Sequence, residues 1–402
     1  MRLDELARHF KVFDLSPPGW PISVSAALAL PEIRTAIPMF PEAALAGYGR
    51  HASGRGADAE SSRRGAVAEA VEIASLCEWG DERLIQGPAE DVPVSYLPLS
   101  ACLGFSETQR ADRDIENTRL SGLDFVPALP AQDIPLSWLL ALDPVRRMQI
   151  LVPADAVLIG RETPDVAPFA DTNGCAAGPT ATAARLAALL ELIERDATGR
   201  WWYGTRARKL LDPASLPDPA SRNVDWARAT GRILRLFEIT TDLAIPVVGA
   251  MLAQNDGRGV ALGFAGRASL VEAAQAALAE AMQMHLLADA GNAGTPGIAS
   301  WFAEVTTSTP PLDPGGKLHP VSAVQTRSGE ADLFATCLSA CSRLEIEVLF
   351  LDRTRREFGV PVWQALAPAL CHWKPRLGRP RLLAEDPNDL AAPVLNPVLL
   401  RV

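Results

Sequence analysis

The chain has 402 residues, of which 48% are hydrophobic and 21% charged, and its formal net charge is -10. This composition is typical of a globular protein and excludes an intrinsically disordered chain, a coiled coil and a collagen-like fibre. The 38 basic and 48 acidic side chains include no Lys/Arg-rich block. We therefore expect no nucleic-acid partner.

The cysteines and the N-terminus indicate where the protein resides. Six cysteines are scattered without the regular spacing of a disulfide scaffold. The first residues, Met1 to Glu5, are too polar for a secretory signal, and no run of about 18 apolar residues occurs. We expect reduced cysteines and a cytoplasmic protein without a membrane segment.

The amino-acid composition of the first half of the chain changes near residue 46. Residues 1–45 mix apolar clusters with proline, which predicts an N-terminal strap with one or two short elements. An Ala-rich stretch, Ser62–Cys77, favours a helix. Residues 86–150 are punctuated by proline, and strands are predicted at Val92–Leu97 and Gln149–Leu158.

The second half alternates helical and strand patterns. A loop of small residues at 171–178 precedes the first of three predicted helices, which are Thr182–Tyr203, Ser269–Asp289 and Ala331–Arg343. The predicted strands are Ile233–Glu238, Ile245–Leu252, Gly259–Phe264 and Ile346–Leu351. Residues 291–328 form a Pro/Gly/Ser/Thr-rich connection. This alternation predicts an α/β or α+β fold with mixed sheets.

Three segments share the pattern AxxExx[EQ], and each lies on a predicted helix after a glycine-containing loop. They are Ala66–Glu72, Ala188–Glu194 and Ala277–Gln283. Positions i and i+3 of a helix face the same way, so each helix presents two oxygen-bearing side chains on a face otherwise rich in apolar residues. The pairs are Glu69 with Glu72, Glu191 with Glu194, and Glu280 with Gln283.

Carboxylates on apolar helix faces are costly unless a positive group lies against them. At the i±4 positions only Glu191 has a cationic partner, Arg195. Mg²⁺ is held in proteins by a few carboxylates together with substrate phosphates, so we expect the five glutamates to converge on a Mg²⁺ site. The competing interpretation is that they are ordinary exposed glutamates on three Ala-rich helices.

A conventional nucleotide-binding loop is missing from the sequence. There is no GxxxxGK[ST] segment, and Gly54-Arg55-Gly56 lacks the third glycine of a dinucleotide fingerprint. Any nucleotide site in this chain is therefore of an unusual type.

The segment 171–178, continued by 188–196, resembles the signature of the YcaO family. Gly54-Arg55-Gly56 before the first acidic helix and residues 280–283 in the third support the resemblance. Residues 240–247, 351–355 and 359–362 look like recurrent strands of the family. The resemblance covers residues 46–375, which divides the chain into an N-terminal strap (1–45), a YcaO-like domain (46–375) and a C-terminal tail (376–402).

The resemblance implies an activity and a set of site residues. The implied reaction is ATP-dependent modification of a peptide amide, in which the carbonyl is attacked by a Cys, Ser or Thr side chain or by sulfide, and its oxygen is phosphorylated and lost. The implied cofactors are ATP and Mg²⁺, and no catalytic residue is assigned. The implied ATP-binding residues are Glu69, Glu72, Asn173, Glu191, Glu194, Arg195, Glu280 and Gln283, with the five glutamates as Mg²⁺ ligands.

Within the family, three features are similar to the azoline-forming cyclodehydratases of peptide antibiotic biosynthesis. They are Gln283-Met284, Trp301 and the segment 372–376. The implied partners are a precursor peptide and a separate leader-recognition protein, with a homodimer as a further possibility. Thioamide formation with a TfuA-like partner is the second enzymatic alternative.

Five positions depart from the family pattern. The family usually has polar or charged residues where this chain has Gly65, Ile73, Pro179, Ala183 and Ala276. A catalytically impaired partner or scaffold, which binds a peptide or an active homologue, is therefore the non-enzymatic alternative.

Several conspicuous residues are predicted to have structural roles. Cys175, in the glycine-containing loop, is expected to pack rather than act as a nucleophile. Trp201-Trp202 is expected in the core. Isolated histidines, among them His372, are expected at the surface or in structural positions.

Overall fold

Three β-sheets, each packed against a long helix, organise the chain in the computed structural model. The structure describes residues 3–45, 52–92, 94–131, 134–163, 170–206, 209–289, 298–321, 329–384 and 395–401. No helix among these residues is long and apolar enough to span a membrane. All six cysteines are free.

The first sheet is three-stranded and antiparallel, in the order β1-β2-β3. Its strands are β1 (Phe10–Asp14), β2 (Ser23–Ala29) and β3 (Ala52–Gly56), and the short helices of this region are α1 (Leu3–Leu6), α2 (Ile33–Ala36) and α3 (Glu42–Leu45). The first 45 residues thus contain more structure than the predicted strap, because two of their segments pair in a sheet with β3. The domain boundaries at 45/46 and 375/376 stay predictions.

Helix α4 (Ala59–Leu76) covers this sheet and confirms the helix predicted at Ser62–Cys77. It begins three residues earlier than predicted because Asp58 caps it: the Asp58 side chain accepts a hydrogen bond from Ser61 N, and Asp58 N donates one to Ser61 Oγ. Its buried face includes Ala66, Val67 and Val71.

The middle region differs most from the sequence prediction. Its elements are β4 (Ile85–Gly87), α5 (Leu99–Leu103), α6 (Glu107–Ala111), α7 (Arg113–Arg119), β5 (Leu136–Asp143) and β6 (Met148–Pro153). The strand predicted at Val92–Leu97 is wrong for the described residues of this segment, 92 and 94–97, which contribute only an isolated bridge from Tyr96 to Leu151. Strand β5 was missed, and β6 ends at Pro153 because a 3₁₀ turn follows it.

The second sheet has six strands, in the order β4-β5-β13-β14-β7 with β6 paired to β5. Its later strands are β7 (Cys175–Ala177), β13 (Leu349–Asp352) and β14 (Val362–Leu366). Helix α8 (Ala181–Tyr203) packs against β7 and β14 and starts at Thr180, whose hydroxyl accepts a hydrogen bond from Ala183 N.

The third sheet has five strands, in the order β11-β10-β9-β8-β12. They are β8 (Lys209–Asp212), β9 (Ile233–Glu238), β10 (Val247–Ala253), β11 (Ala261–Gly266) and β12 (Leu318–Pro320). The remaining helices are α9 (Ala220–Ala229), α10 (Leu270–Asp289), α11 (Ile298–Glu304) and α12 (Glu330–Arg343). Of residues 240–247, expected to form a strand, only Val247 belongs to one, β10, and residues 240–246 connect β9 to β10.

Helix α8 is the central element of the fold. It contacts β7 and β14 of the second sheet, β10 and β11 of the third, and α12, so 16 of its 23 residues are buried. Trp201 and Trp202 lie in the core at its C-terminal end, as predicted. Asp196 of α8 is fully buried, and Arg381 binds it through three contacts of 2.8 to 3.2 Å. This ion pair joins the segment after residue 376 to the middle of the fold.

Candidate functional site

The three acidic helices α4, α8 and α10 border two adjoining cavities of about 520 and 700 Å³. We call the pair the acidic cleft. The cavities share six lining residues, which are Arg55, Glu69, Thr172, Glu191, Arg195 and Glu280. Every residue predicted for the ATP and Mg²⁺ site lines one or both of them: Glu69, Glu72, Asn173, Glu191, Glu194, Arg195, Glu280 and Gln283.

Glu69 and Glu72, the acidic pair of α4, are each oriented by a backbone N–H of a neighbouring strand. Ser53 N of β3 donates to Glu69 Oε2 at 2.7 Å, and Ala177 N of β7 donates to Glu72 Oε2 at 2.8 Å. Hydrogen bonds from an N–H to a carboxylate are among the stronger ones in proteins. They fix the direction of both side chains.

Glutamates of the second and third acidic helices also accept hydrogen bonds from backbone N–H groups of a neighbouring strand. Gly266 N of β11 donates to Glu194 Oε2 at 3.3 Å, and Phe264 N of the same strand donates to Glu280 Oε2 at 3.2 Å. These are longer than the contacts made by α4. The shared AxxExx[EQ] pattern therefore has a shared structural role, in which glutamates of a helix bind a strand edge.

Two glycines allow the helices to come this close to the strands. A Cβ atom at Gly54 of β3 would lie 2.2 Å from Ala66 N of α4, and one at Gly263 of β11 would lie 2.3 Å from Ala281 N of α10. Either contact is impossible for a real side chain, so these positions require glycine for close approach.

Arg55 and Arg195 supply positive charge among the glutamates of the acidic cleft, and Arg267 lines its larger cavity as well. Arg195 lies 3.5 Å from Glu191 Oε1 and 3.3 Å from Glu194 Oε1, so it pairs with both carboxylates and not with Glu191 alone as the spacing suggested. Arg55 donates to Gln283 Oε1 at 3.0 Å and lies 3.5 Å from Glu280 Oε2. Because Arg55 comes from β3, its pairing with α10 was not evident from local spacing.

This positive charge does not hold the pKa values of all the cleft carboxylates at their usual level. Burial raises the pKa of Glu191 to about 7 despite the nearby Arg195. Burial, with repulsion from Glu280 and Glu191, also raises the pKa of Glu194 to about 7. The pKa of Glu72 is raised well above its usual value by burial and by the charge of Glu191. The cleft therefore favours a bound cation.

The arrangement suits a cation whose coordination is completed by groups from a bound substrate. Among the described residues, no group of three or more His, Cys, Asp or Glu side chains could hold a metal ion by themselves. The five glutamates thus line the cleft without forming a complete protein cage. Mg²⁺ is commonly bound by one or two carboxylates together with substrate phosphates, and this donor set fits that mode.

A second charged cluster, largely missed from sequence, forms a wall of the smaller cavity. Arg376 binds Asp124 at 2.9 Å and Asp171 at 3.0 Å, and Lys374 Nζ lies 3.6 Å from Asp171. Although burial opposes ionisation, Arg376 holds the pKa of Asp171 well below its usual range. The segment 372–376 was recognisable only as a family feature, and Asp124 had no sequence signal.

His372 is a neutral residue of this cluster and accepts a hydrogen bond through Nδ1. Lys374 N donates to His372 Nδ1 at 2.9 Å, so the ring proton is on Nε2. Burial lowers the pKa of His372 to about 4, and the ring is uncharged at neutral pH. The histidine is 4% exposed and lines the cleft, and the structural role predicted for it stays a prediction. Cys175 is also buried, and burial raises its pKa well above the usual value, as expected for a packing residue.

Only two of the five departures from the family pattern line the acidic cleft. Pro179 and Ala183 border its larger cavity. Gly65 faces β3, where its Cβ would lie 3.3 Å from Gly54 Cα, and Ala276 packs beside the core of α10. Gly65, Ile73 and Ala276 are not among the described residues that line the cleft.

Residues 395–401 of the C-terminal tail pack on the end of α8. Trp202 Nε1 donates to Val398 O at 2.8 Å, and Leu400 N donates to the Tyr203 hydroxyl at 3.2 Å. Arg401 donates to Gly122 O at 3.0 Å, next to Leu123 of the cleft wall. Pro393 and Val394 of the predicted tail lie outside the described residues.

Comparison with known families gives one match over most of the chain. The family model described as YcaO cyclodehydratase, ATP- and Mg²⁺-binding, matches residues 53–371. No curated protein sequence shows a significant match.

Several solved structures share the fold. A heterocyclase in complex with substrate and cofactor has a TM-score of 0.82 at 22% identity, covering 95% of this chain and 54% of its own. YcaO from Methanopyrus kandleri bound with AMPPCP and Mg²⁺ has a TM-score of 0.64 at 19% identity, covering 91% and 88%. The E. coli microcin synthetase McbBCD complex with pro-MccB17 bound has a TM-score of 0.59 at 16% identity, covering 89% and 88%.

These matches confirm the predicted family resemblance and the mixed α/β fold class. The chain spans about half the length of the heterocyclase, 54%. At these identities, likeness to the solved structures is likeness of fold.

Proposed function

Because the chain belongs to the YcaO family, whose cofactors are ATP and Mg²⁺, we propose that it modifies a peptide backbone amide in an ATP-dependent reaction. The specific reaction proposed is cyclodehydration of Cys, Ser or Thr residues to azolines in the biosynthesis of a ribosomal peptide. The observation that carries this proposal is the convergence of three acidic helices on one cleft, with the pKa values of Glu191 and Glu194 raised to about 7.

The five glutamates are the proposed Mg²⁺ ligands. They are Glu69, Glu72, Glu191, Glu194 and Glu280. Arg55 and Arg195 line the same space and would neutralise phosphate charge, while Asn173 and Gln283 supply neutral hydrogen-bonding groups. Bound Mg·ATP supplies the phosphoryl group that leaves with the amide oxygen as phosphate. Positioning and charge neutralisation account for most catalysis of such transfers.

The proposed partners are a precursor peptide and a separate leader-recognition protein, and a homodimer is possible. The fold relative from E. coli is a multisubunit McbBCD complex with pro-MccB17 bound, which supports a peptide partner and partner proteins. In this chain, the smaller cavity of the cleft is also lined by the apolar Leu123, Phe125, Met284 and Trp373, which suits peptide side chains.

Mass spectrometry tests the proposed reaction. The chain, its candidate leader-recognition protein and a precursor peptide containing Cys, Ser and Thr are incubated with ATP and Mg²⁺. We expect the loss of one water mass per ring formed, with no loss when Glu191→Gln replaces the natural chain. A mass gain corresponding to exchange of oxygen for sulfur, seen with a sulfur donor and a TfuA-like protein, would instead identify thioamide formation.

The second candidate is a catalytically impaired subunit. It is favoured by Pro179 and Ala183, which line the cleft where the family usually has Asn and Glu. Such a subunit would bind the peptide or an active homologue without consuming ATP. Peptide binding without ADP formation, in the presence of the partner protein, would support this alternative.

A further inference from the structure

A small cavity of about 50 Å³ lies behind the wall formed by Asp171 and His372. We call it the back chamber. It shares four lining residues with the acidic cleft, which are Asp171, Asn173, His372 and Arg376. Its other walls include Gln364 of β14 and Arg379. The back chamber is thus separated from the cleft by a single layer of polar side chains.

Four polar atoms around the back chamber have no hydrogen-bond partner among the described residues. They are Asn173 Oδ1, Gln364 Oε1, His372 Nε2 and Arg379 Nε, and all four are buried. Gln364 is 1% exposed and His372 4% exposed. His372 Nε2 lies 3.4 Å from Asp171 Oδ2 without hydrogen-bond geometry. Leaving one such group unsatisfied typically costs about 1–3 kcal/mol, so four around one cavity require an explanation.

The four atoms form a balanced set of two acceptors and two donors. The side-chain oxygens of Asn173 and Gln364 are acceptors. Arg379 Nε always bears a hydrogen, and His372 Nε2 bears one because its Nδ1 accepts from Lys374 N. A water molecule offers two donors and two acceptors, so it can serve both kinds of group.

Other small ligands match this set less well. A metal cation is disfavoured because the Arg379 guanidinium borders the chamber, where it also donates to Ala101 O at 2.8 Å. An anion is disfavoured by the two amide oxygens and by the Asp171 carboxylate. A polar cavity of about 10–15 Å³ can hold one water molecule. The back chamber, at about 50 Å³, is therefore large enough for water.

We propose that the back chamber is a built water-binding site, and that Gln364 positions the Asn173 side chain through this water. Asn173 lies at the boundary, because it lines both the chamber and the acidic cleft. Water bound to Gln364 and Asn173 holds the Asn173 amide in one orientation at the edge of the cleft. The consequence for nucleotide binding rests on the proposed function, whereas the water site itself does not.

A high-resolution crystal structure of the full chain tests the water site. We expect at least one ordered water within hydrogen-bond distance of the Gln364 side-chain oxygen and the Asn173 amide. The proposal is overturned if the chamber contains no water, or if the four side chains bond directly to one another.

Solution measurements separate the two parts of the proposal. Oxygen-17 magnetic relaxation dispersion counts long-lived waters, and we expect Gln364→Leu to lose at least one relative to the natural chain. Gln149→Leu, at an exposed position of β6, should lose none. An equal count in Gln364→Leu and the natural chain would contradict the site.

Titration with Mg·ATP then tests positioning. We expect Gln364→Leu to bind about fivefold more weakly, the factor given by one hydrogen bond of ordinary strength, and Gln149→Leu to bind normally. Unchanged affinity in Gln364→Leu would overturn the positioning role. Failure of the natural chain itself to bind Mg·ATP would overturn the proposed function but leave the count of bound waters as a valid test of the chamber.

Discussion

Glu280 Oε2 lies 3.5 Å from Arg55 Nη2, although the two residues are 225 positions apart in the chain. Arg55 also donates to Gln283, whose Nε2 donates to Ser53 Oγ at 2.8 Å. These contacts join the third acidic helix to the strand that orients the first. Two of the three AxxExx[EQ] segments, those of α4 and α10, are thus linked to each other through β3.

Replacing Arg55 tests whether this connection matters for binding. In Arg55→Met the Glu280 carboxylate and the Gln283 amide lose a charged partner, so we expect Mg·ATP binding to weaken about tenfold or more. Calorimetric titration measures the change. Arg228→Met removes an exposed arginine on α9 and should bind normally; equal weakening in both variants would contradict a specific role for Arg55.

Glu191→Gln should stabilise the ligand-free protein while weakening nucleotide binding. A carboxyl whose pKa is raised from 4.5 to about 7 favours the folded state at low pH, and this advantage is lost as pH rises through 7. At about pH 8 the variant should therefore be more stable by about 1–3 kcal/mol. Urea unfolding at pH 5 and 8 measures this difference.

The control for this variant is Glu272→Gln, an exposed glutamate in the first turn of α10. It should change neither the pH dependence nor nucleotide affinity. If Glu191→Gln proved less stable than the natural chain at pH 8, the raised pKa would be contradicted.

Binding of Mg·ATP should release protons near neutral pH. Glu191 and Glu194, each with a pKa of about 7, are partly protonated there, and a divalent cation favours their ionised forms. Affinity should therefore rise with pH up to about 8 and then level off. Calorimetry in buffers of different ionisation enthalpy gives the number of protons released. Affinity that falls over this range would contradict the assignment of these carboxylates to the metal site.

Ala183→Glu tests a position inside the cleft at which this chain departs from the family pattern. The added carboxylate would border the larger cavity, where it can act as another Mg²⁺ ligand. We expect Mg²⁺-dependent ATP affinity to increase several-fold. The matched neutral variant Ala183→Gln should show little change, and similar affinities in both variants would rule out a missing metal ligand at this position.

Elements with a strong local pattern were predictable from sequence. The long apolar and Ala-rich segments predicted α8 and α10 to within one residue at all four ends, and strand β9 was predicted with its observed bounds. Strand β5 was missed because prolines around it suggested an irregular region. The strand predicted at residues 240–247 is wrong except for Val247, because residues 240–246 form the turn that connects β9 to β10.

The residues of the candidate site were predictable, but their partners were not. The i, i+3 spacing and the family resemblance identified the glutamates. Their orientation depends on the N–H groups of Ser53, Ala177, Phe264 and Gly266, which any residue type except proline could provide. The pairing of Arg55 with Glu280 and of Arg376 with Asp124 depends on long-range topology, which local spacing does not encode.

Calorimetric titration of the full chain with ATP in the presence of Mg²⁺ tests the central claim most directly. The account predicts micromolar binding that requires Mg²⁺ and is lost in the double variant Glu191→Ala/Glu194→Ala, shown to be folded by circular dichroism. Absence of binding to the folded natural chain at millimolar nucleotide, or equal binding by the double variant, would contradict a Mg·ATP site at the three acidic helices.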